Sequence, residues 1–392
     1  MSSFQTQSLA AWIERFSASP PAYTAEQSSS DSGQSDNGTA QDLADQESVE
    51  QASAEQITPF KARNATEALE TPESLLQTIS RPAMACQFEV LLNQHQYLGG
   101  TEAAIAALDR IEELESLFSV YKSRSELSLL NRLGTERAIG LSRETLELLQ
   151  LANAAHQWTS GAFDVTAGAL SEVWGFSRRE GKKPTEKEVS RSLETVGIQY
   201  VELDGEASTG RMLREGVQVN PGGIGKGYAI DAAAADLSSD GVGDFMLHGG
   251  LSSIRAFGDR HNNSTGGGWQ VSLKHPLRWE EHLGSIRLRN QALGTSGSGK
   301  QFFHFGGKRY SHIIDPRSGW PAQGMMSVTV ICGSAAIADI LATALFVLGK
   351  EQACEFCDAN ANIGAVLVCQ DEKSGSQHIE THNLDKDTWQ PR

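Results

Sequence analysis

The chain has 392 residues and a formal net charge of −16, and 39% of its residues are apolar. This composition suits a soluble globular enzyme or binding protein, and the acidity argues against nucleic acid or an anionic membrane as the partner. We expect no transmembrane segment, because no run of about 18 apolar residues is present. The N-terminus lacks a basic stretch followed by an apolar one, which predicts a cytoplasmic protein without a secretory signal.

The five cysteines are an odd number at irregular spacing, which argues against a disulfide framework. Cys354 and Cys357 form a lone C-x-x-C pair with no second pair and no histidine nearby. We interpret both as ordinary buried thiols, with metal or redox use as the alternative.

The first 80 residues are strongly acidic, with twelve Asp and Glu against three Lys and Arg. Residues 9–16 have the pattern of a short amphipathic helix, which is either a docking motif or, as we expect, a frayed end without a role. Residues 17–66 hold few large apolar side chains and are therefore predicted to be disordered. We divide the chain into a largely disordered acidic extension, 1–80, and one folded domain, 81–392.

Beyond Arg81, strands alternate with helices but without the regular order of a parallel α/β sheet. The charged residues 177–188 are expected to form an exposed loop. Helices are predicted over 102–118, 142–158, from about 167 through 174, after 227 and over 335–349. Strands are predicted over 88–92, 200–203, 217–220, 245–247, 253–257, 269–273, 284–289, 302–304, 310–314, 326–332 and 364–369. This pattern favours an α+β fold with mixed, largely antiparallel sheets flanked by helices.

Two glycine-rich stretches are similar to phosphate-binding loops. GTSGSGKQ at 294–301 matches G-x-x-x-x-G-K, but it ends in Gln301 where magnesium needs Ser or Thr, and a strand-like segment follows. These differences argue against a P-loop nucleotide hydrolase. GGIGKG at 222–227 lies between a predicted strand and a helix, so its backbone N–H groups and Lys226 are placed to receive phosphate. A tight turn with a solvated lysine is the alternative.

The apolar segment AAIADILATALFVLG at 335–349 is predicted to be a buried helix, with Ser334 as its N-cap and Gly349 as its stop. Asp339 lies in the middle of this helix, and Thr343 follows one turn later on the same face. A buried carboxylate needs a charged partner, hydrogen bonds or a metal ion. The segment alone leaves a structural Asp and a functional site as equal alternatives.

Two other stretches place polar groups next to predicted elements. FDVT at 163–166 puts Asp164 beside an aromatic residue and ahead of a helix, where it is either an N-cap or a site residue. YSHIIDPRSGWP at 310–321 carries His312, Asp315 and Arg317 at the end of a strand. A lone histidine is more often structural, but three polar groups just before the helix of Asp339 favour a site.

These stretches together resemble the ApbE-type FAD:protein FMN transferase family across roughly residues 83–370. The resemblance rests on MACQFEV, FSVY, SELSLLNR, GAFDVTAGAL with WGF, NPGGIGKGYAID, IRAFG, GTSG, YSHIIDPRSGWP and ADILATALFVLG, in this order. The family implies an enzyme that cleaves FAD, attaches FMN to a Thr or Ser hydroxyl of an acceptor protein and releases AMP. Since no acceptor-type domain is evident in this chain, the acceptor is expected to be a separate protein.

The resemblance also implies a Mg²⁺ site and a binding site for FAD as substrate. The implied Mg²⁺ ligands are the Asp339 carboxylate, the Thr343 hydroxyl and the Gly223 carbonyl, and His312 is implied to act in the reaction with Asp339. Few protein oxygens, with substrate phosphate and water, suit this ion. The implied contacts of FAD are Met84, Tyr121, Ala162, Phe163, Asp164, Asn220, Lys226 and Ile313, with Tyr121 and Phe163 offering flat surfaces and Asp164 a hydrogen-bond acceptor.

The chain departs from the family pattern at three places. Met84 is followed by Ala-Cys where the family has Gly-Thr, Asn220 stands where the family has Asp, and GGLSS at 249–253 replaces GGD. These changes keep open a flavin-binding protein of the same fold without transferase activity. A further alternative is an interaction protein in which the acidic extension is the working part. The intact pair of Asp339 and Thr343 favours an active enzyme.

Overall fold

The structure is a computed structural model that describes residues 8–17, 75–260, 267–299, 301–370 and 377–392. All of these residues belong to one compact unit, and a second unit, Pro21–Glu73, lies outside them. Most of the predicted disorder, over 18–66, falls on residues outside the described ranges. The division of the chain at residue 80 therefore stays a prediction.

The helices of the described residues include all those predicted from the sequence. They are α1 Leu9–Ser17, α2 Gly100–Phe118, α3 Glu126–Leu133, α4 Arg143–Trp158, α5 Gly168–Val173, α6 Glu186–Leu193, α7 Gly225–Ser239 and α8 Ala335–Ala359. Single 3₁₀ turns lie at Ile198–Tyr200 and Pro221–Gly223. As predicted, Ser334 caps α8 by accepting from the Ile337 N–H, and the backbone of Gly349, at φ 78°, interrupts the helix.

The strands in the same ranges form one large antiparallel sheet and three small ones. They are β1 Leu76–Ala83, β2 Cys86–Asn93, β3 Ile139–Gly140, β4 Val201–Asp204, β5 Thr209–Met212, β6 Phe245–Gly249, β7 Ser253–Phe257, β8 Trp269–Lys274, β9 His282–Leu288, β10 Gln291–Gly297, β11 Phe302–Phe305, β12 Lys308–Ser311, β13 Met325–Cys332, β14 Gly364–Gln370, β15 Gln377–His382 and β16 Trp389–Pro391. The large sheet has the order β1-β2-β6-β7-β10-β13-β14-β15. The α+β fold with antiparallel sheets and flanking helices is confirmed.

The large sheet is covered on both faces, which explains why its central strands read as continuous apolar runs. On one face, α8 packs on β10 and β13, and α7 packs on α8 and β7. On the other face, Ile254, Leu293 and Ile331 share a second core with Trp269 and Ile286 of the small sheet β16-β9-β8. Every residue of β13 is buried as a result.

Four expectations about local structure are corrected. The first strand after residue 75 begins at Leu76, ahead of the expected start near Arg81, because β1 pairs with β2 along its whole length. Residues 217–220 make only an isolated bridge, Ala167 to Gln218, and no strand. The expected loop 177–188 ends in α6, which begins with a capping box between Thr185 and Glu188. Strand β12 ends at Ser311, short of the predicted 314.

The interpretation of the N-terminal helix as a frayed end is also wrong. In α1, Trp12 is buried and lies edge-on to Trp158 at the end of α4, with ring centroids 6.5 Å apart. Phe16 packs on Tyr228 of α7 at 5.9 Å. Arg15 pairs with Glu147 of α4 at 2.6 Å. The helix is thus an integral part of the folded unit.

Candidate active site

The helix that carries Asp339 is approached closely by two other elements, and each approach depends on a glycine. A Cβ on Gly227 of α7 would lie 2.2 Å from the Ala335 carbonyl oxygen. A Cβ on Gly294 of β10 would lie 2.4 Å from the backbone of Ala338. No side chain fits at such distances. The glycines therefore let α7 and β10 close around α8 at the level of Asp339.

Asp339 is buried, with 7% of its surface exposed, and its carboxylate is held by hydrogen bonds. The Ser253 hydroxyl donates to it, 2.7 Å from Oδ1 and 2.8 Å from Oδ2, and the Gly227 N–H donates to Oδ2 at 3.0 Å. Lys226 is the cation beside it, with Nζ 4.0 Å from Oδ2. Burial outweighs these interactions and raises the pKa of Asp339 to about 6.

Thr343 and Gly223 lie next to Asp339, so the three residues of the expected metal site come together. Thr343 Oγ1 donates to the Asp339 carbonyl at 3.1 Å and lies 2.9 Å from the hydroxyl of Ser296. A Cβ on Gly223 would lie 3.6 Å from Thr343 Oγ1. The N–H one turn after Gly223, on Gly227, donates to the Asp339 carboxylate.

The N-terminus of α8 is anchored by a carboxylate that the sequence analysis missed. Asp231 of α7 accepts hydrogen bonds from the Ser334 hydroxyl and from the backbone N–H groups of Ala335 and Ala336. Buried Arg255 lies 3.9 Å from Asp231 and donates to the Gly333 carbonyl. Burial raises the pKa of Asp231. The GYAID and IRAFG stretches thus fix the helix that carries Asp339.

His312 directly follows β12 and is held against Gln301 and Phe176. Its Nδ1 lies 3.0 Å from the Gln301 carbonyl oxygen, and its ring lies edge-on to Phe176, with centroids 6.4 Å apart. Burial lowers the pKa of His312, and the positive charge of Lys226 lowers it further. The charge of Lys226 therefore lowers the pKa of His312 and opposes the rise in the pKa of Asp339.

Asp164 is fully engaged by the protein. Its Oδ1 accepts from the N–H and hydroxyl of Thr166, at 2.8 and 2.6 Å, and its Oδ2 accepts from the Ile198 N–H at 3.2 Å and faces His156 Nδ1 at 3.1 Å. Burial opposes the charge, but the bonds from His156 and Thr166 outweigh it and lower the pKa of Asp164. Asp164 thus accepts three hydrogen bonds and lies beside the His156 ring. Asp164 thus shapes the 161–166 turn, and it does not serve as the N-cap of α5, which is Ala167.

The two aromatic residues expected to offer flat surfaces differ in exposure. Tyr121 is 78% exposed and presents an open ring. Phe163 is only 5% exposed, and its ring lies under Gly223, where a Cβ would be 2.9 Å away. Ala162 is buried beside it. Phe163 therefore supports the glycine turn from below rather than presenting a free face.

The remaining expected FAD contacts lie at turns around this region. Asn220 accepts from the Gly222 N–H at 3.0 Å, which caps the turn 221–223. Met84, at φ 47°, forms the two-residue turn between β1 and β2 with Ala85, at φ 60°, and its N–H donates to Glu115 at 2.8 Å. Ile313 is buried, and its carbonyl accepts from Ala322. Their contact with FAD stays a prediction.

Other candidates fall outside the site. GTSG lies within β10, where Gly294 accommodates α8, so this stretch is not a P-loop. Cys354 and Cys357 are free cysteines, and no group of three or more His, Cys, Asp or Glu in the described ranges is arranged for a metal ion. Asp315 and Arg317 pair with each other in their turn, at 2.9 Å. No described helix combines the length and apolarity of a membrane span.

The sequence is similar to a protein family and to proteins of known activity. The model of the ApbE family matches residues 84–367. A FAD:protein FMN transferase of Vibrio cholerae is 31% identical over 300 residues, which is 75% of this chain and 88% of the relative. Another, from Haemophilus influenzae, is 32% identical over 267 residues, which is 66% of this chain and 75% of the relative.

Solved structures give the same result. The flavin transferase ApbE of Vibrio cholerae superposes with a TM-score of 0.70 at 28% identity, covering 80% of this chain and 99% of that one. An ApbE protein of Thermotoga maritima superposes with a TM-score of 0.68 at 28% identity, covering 78% and 96%. Since the family match extends over 84–367 and includes the helix of Asp339, the chain belongs to the ApbE family.

Proposed function

We propose that this chain is a FAD:protein FMN transferase that uses Mg²⁺, attaches FMN to a Thr or Ser hydroxyl of a separate acceptor protein and releases AMP. The observation that carries this proposal is the convergence of Asp339, Thr343 and Lys226 beside the Gly223 turn. Two distant parts of the chain, α8 and the start of α7 with the turn before it, supply these groups. Phosphoryl transfer depends mainly on positioning and on neutralising phosphate charge, which such an arrangement supports.

The residues around Asp339 fit a magnesium ion. Asp339 is a buried carboxylate whose pKa is raised to about 6. A bound cation would offset the cost of burying its negative charge. The Thr343 hydroxyl and the Gly223 carbonyl are hard oxygen donors next to it. When bound, Mg²⁺ would neutralise charge on the pyrophosphate of FAD. Asp339, Thr343 and Gly223 are the residues that would hold it.

His312 is suited to accept the proton of the acceptor hydroxyl. A carbonyl oxygen only accepts, so the bond to Gln301 places the proton of the neutral ring on Nδ1 and leaves the lone pair on Nε2. The lowered pKa keeps the ring neutral at pH 7. Nε2 can therefore act as a general base.

The proposed step is a displacement at the FMN-side phosphorus of FAD. The hydroxyl oxygen of the acceptor forms a bond to this phosphorus, its proton passes to His312 Nε2, and the bond between phosphorus and the bridging oxygen breaks. AMP leaves with that bond's electron pair. Lys226 lies in the first turn of α7, where its charge would attract the phosphates of FAD.

The departures from the family pattern leave this arrangement intact. Asn220 caps the glycine turn with its amide oxygen, as an Asp carboxylate would. Ser253, in the altered GGLSS stretch, donates to Asp339. The alternative of a flavin-binding protein without activity rested on these departures at Asn220 and 249–253. The contacts described here weaken that alternative. The cytoplasmic location stays a proposal.

The decisive assay mixes the protein with FAD, Mg²⁺ and an acceptor protein or peptide that contains Thr. We expect AMP release together with a covalently fluorescent acceptor. Asp339→Ala serves as the control, and both products should vanish with this variant. If the protein binds FAD tightly but releases no more AMP than the Asp339→Ala control, the transferase proposal is overturned and the alternative of a flavin-binding protein without activity is favoured.

A further inference from the structure

A groove beside His312 is not used by any group assigned above. It has a volume of about 450 Å³ and lies between the 177–183 loop and the hairpin of β11 and β12. We call it the Gln301 groove. Its lining consists of Phe176, Arg179, Glu180, Gly181, Gln301, Phe302 and Phe303.

The walls of the Gln301 groove are fixed by the fold. Gly181 at φ 58° lies against Phe303, where a Cβ would be 2.8 Å from the ring. The Lys182 N–H donates to the Trp174 carbonyl at 2.8 Å, which closes the loop onto α5. The Gln301 side-chain amide donates to the Phe176 carbonyl at 2.9 Å and joins the two walls. The groove is thus pre-formed.

Two residues that line the Gln301 groove also contact the proposed catalytic base. The Gln301 carbonyl accepts the hydrogen bond from His312 Nδ1, and Phe176 contacts the His312 ring. A chain segment lying in this groove would therefore pass close to His312. This is the position that the hydroxyl-bearing segment of an acceptor must occupy, so the inference rests on the proposed function.

The groove and the residues that follow it in the chain combine exposed aromatic rings with positive charge. Phe302, which lines the groove, is 40% exposed. Phe305 and Lys183 lie just beyond the lining; Phe305 is 54% exposed, and Lys183 Nζ lies 5.3 Å from the centre of its ring. In the part of the chain that the structure describes, Arg179 and Lys183 enter no ion pair. Glu180 is the single acid in the lining. This positive charge stands out in a chain of net charge −16.

We propose that the Gln301 groove binds the acceptor protein through an acidic segment that flanks the modified Thr or Ser. Arg179 and Lys183 attract the acidic side chains, and the rings of Phe302 and Phe305 pack against apolar parts of the segment. Electrostatic complementarity of this kind selects among partners. The overall negative charge of the protein repels acidic chains elsewhere, which directs them to this groove.

The test uses two synthetic peptides with one Thr each, flanked by Asp in the first and by Lys in the second. Their affinity for the FAD-loaded protein is measured by fluorescence anisotropy, and kcat/KM is measured from AMP release. We expect the wild-type protein to prefer the Asp peptide by roughly tenfold, with a smaller preference at high salt. Arg179→Glu should abolish or reverse the preference through KM, with the Kd of FAD unchanged.

Arg178→Glu is the matched control, because Arg178 belongs to the same loop but pairs with Glu172 and does not line the groove. It should retain the wild-type preference within about twofold. Equal affinity of the wild type for both peptides, or an Arg179→Glu variant that keeps the preference, would overturn the proposal. If neither peptide leads to AMP release, the proposed transferase activity fails. The peptide affinities measured by anisotropy still show whether the Gln301 groove prefers acidic segments.

Discussion

The Ser253 hydroxyl lies within 2.8 Å of both carboxylate oxygens of Asp339, and both residues are buried. A single O–H group shared between two oxygens fixes the plane of the carboxylate. Groups that orient a metal ligand typically change metal affinity by 10- to 100-fold when removed. Ser253 is therefore a positioning residue for Asp339.

Ser253→Ala should weaken Mg²⁺ binding by about 10- to 100-fold, because the carboxylate keeps only the Gly227 N–H as a direct donor. Calorimetric titration of Mg²⁺ into the protein without FAD measures this affinity independently of turnover. Ser252→Ala, one residue earlier, is the matched control and should bind like the wild type. Unchanged Mg²⁺ affinity in Ser253→Ala would refute the positioning role.

A second prediction concerns the contact of α7 with α8. Gly227→Ala should destabilise the protein by about 2–3 kcal/mol or more, because the new Cβ meets the backbone of Ala335 and Ala336, which cannot move aside without shifting a helix. Gly225→Ala is the control in the same motif. Its Cβ would lie 3.5 Å from Pro221, an ordinary contact. Urea unfolding measures both variants, and equal stability would show that the helices adjust freely.

The sequence was sufficient to predict α8, because its apolar run, its N-cap Ser334 and its stop Gly349 are local signals. It also placed Asp339 and Thr343 on one face, because helical spacing is fixed. The contacts of Ser253 and Asp231 could not be derived in the same way. They connect residues 86 and about 104 positions apart in sequence, and they depend on how the sheet and the two helices pack.

Other differences arose where packing overrides local preference. Strand β10 contains GTSG, a composition typical of loops, yet its Gly294 is required because α8 lies directly upon it. The ring of Phe163 suggested a free surface, but Gly223 covers it. For α1 the amphipathic pattern predicted a helix correctly. Its partners Trp158 and Tyr228 lie far along the chain, so its docking could not be foreseen.

The third prediction concerns the pH dependence of stability without metal. Folding raises the pKa of Asp339 to about 6, so between roughly pH 4 and pH 6 the folded state holds a proton that the unfolded state has released. Stability therefore falls as the pH rises through this window and levels off above it. The shift of about two units corresponds to about 3 kcal/mol.

Asp339→Asn should remove this pH dependence, because the amide carries no charge at any pH. We expect the metal-free variant to be more stable than the wild type by about 1–3 kcal/mol at pH 7.5, with the difference vanishing near pH 4. Urea unfolding of both proteins between pH 4 and pH 7.5, with a chelator present, tests this stability difference. Parallel stability curves for the two proteins would contradict the raised pKa. Added Mg²⁺ should stabilise only the wild type.

The fourth prediction concerns α1, which packs against the two helices that lead into the site. Trp12 contacts Trp158, which is the last residue of α4 just before the 161–166 turn, and Phe16 contacts Tyr228 near Lys226. Fully extended, residues 18–74 could span roughly 190 Å. The position of α1 is therefore determined by its own contacts rather than by a short connection.

Replacing both Trp12 and Phe16 by Ala should detach α1 and lower the free energy of unfolding by about 2–5 kcal/mol, because the buried ring of Trp12 and the half-buried ring of Phe16 stabilise the docked helix. Hydrogen exchange should then accelerate in α4 and in the first turn of α7, and the Kd of FAD should rise. Glu14→Ala, on the exposed side of α1, is the control and should behave like the wild type. Unchanged exchange in α4 and α7 after the double substitution would show that α1 contributes nothing to the order of these helices.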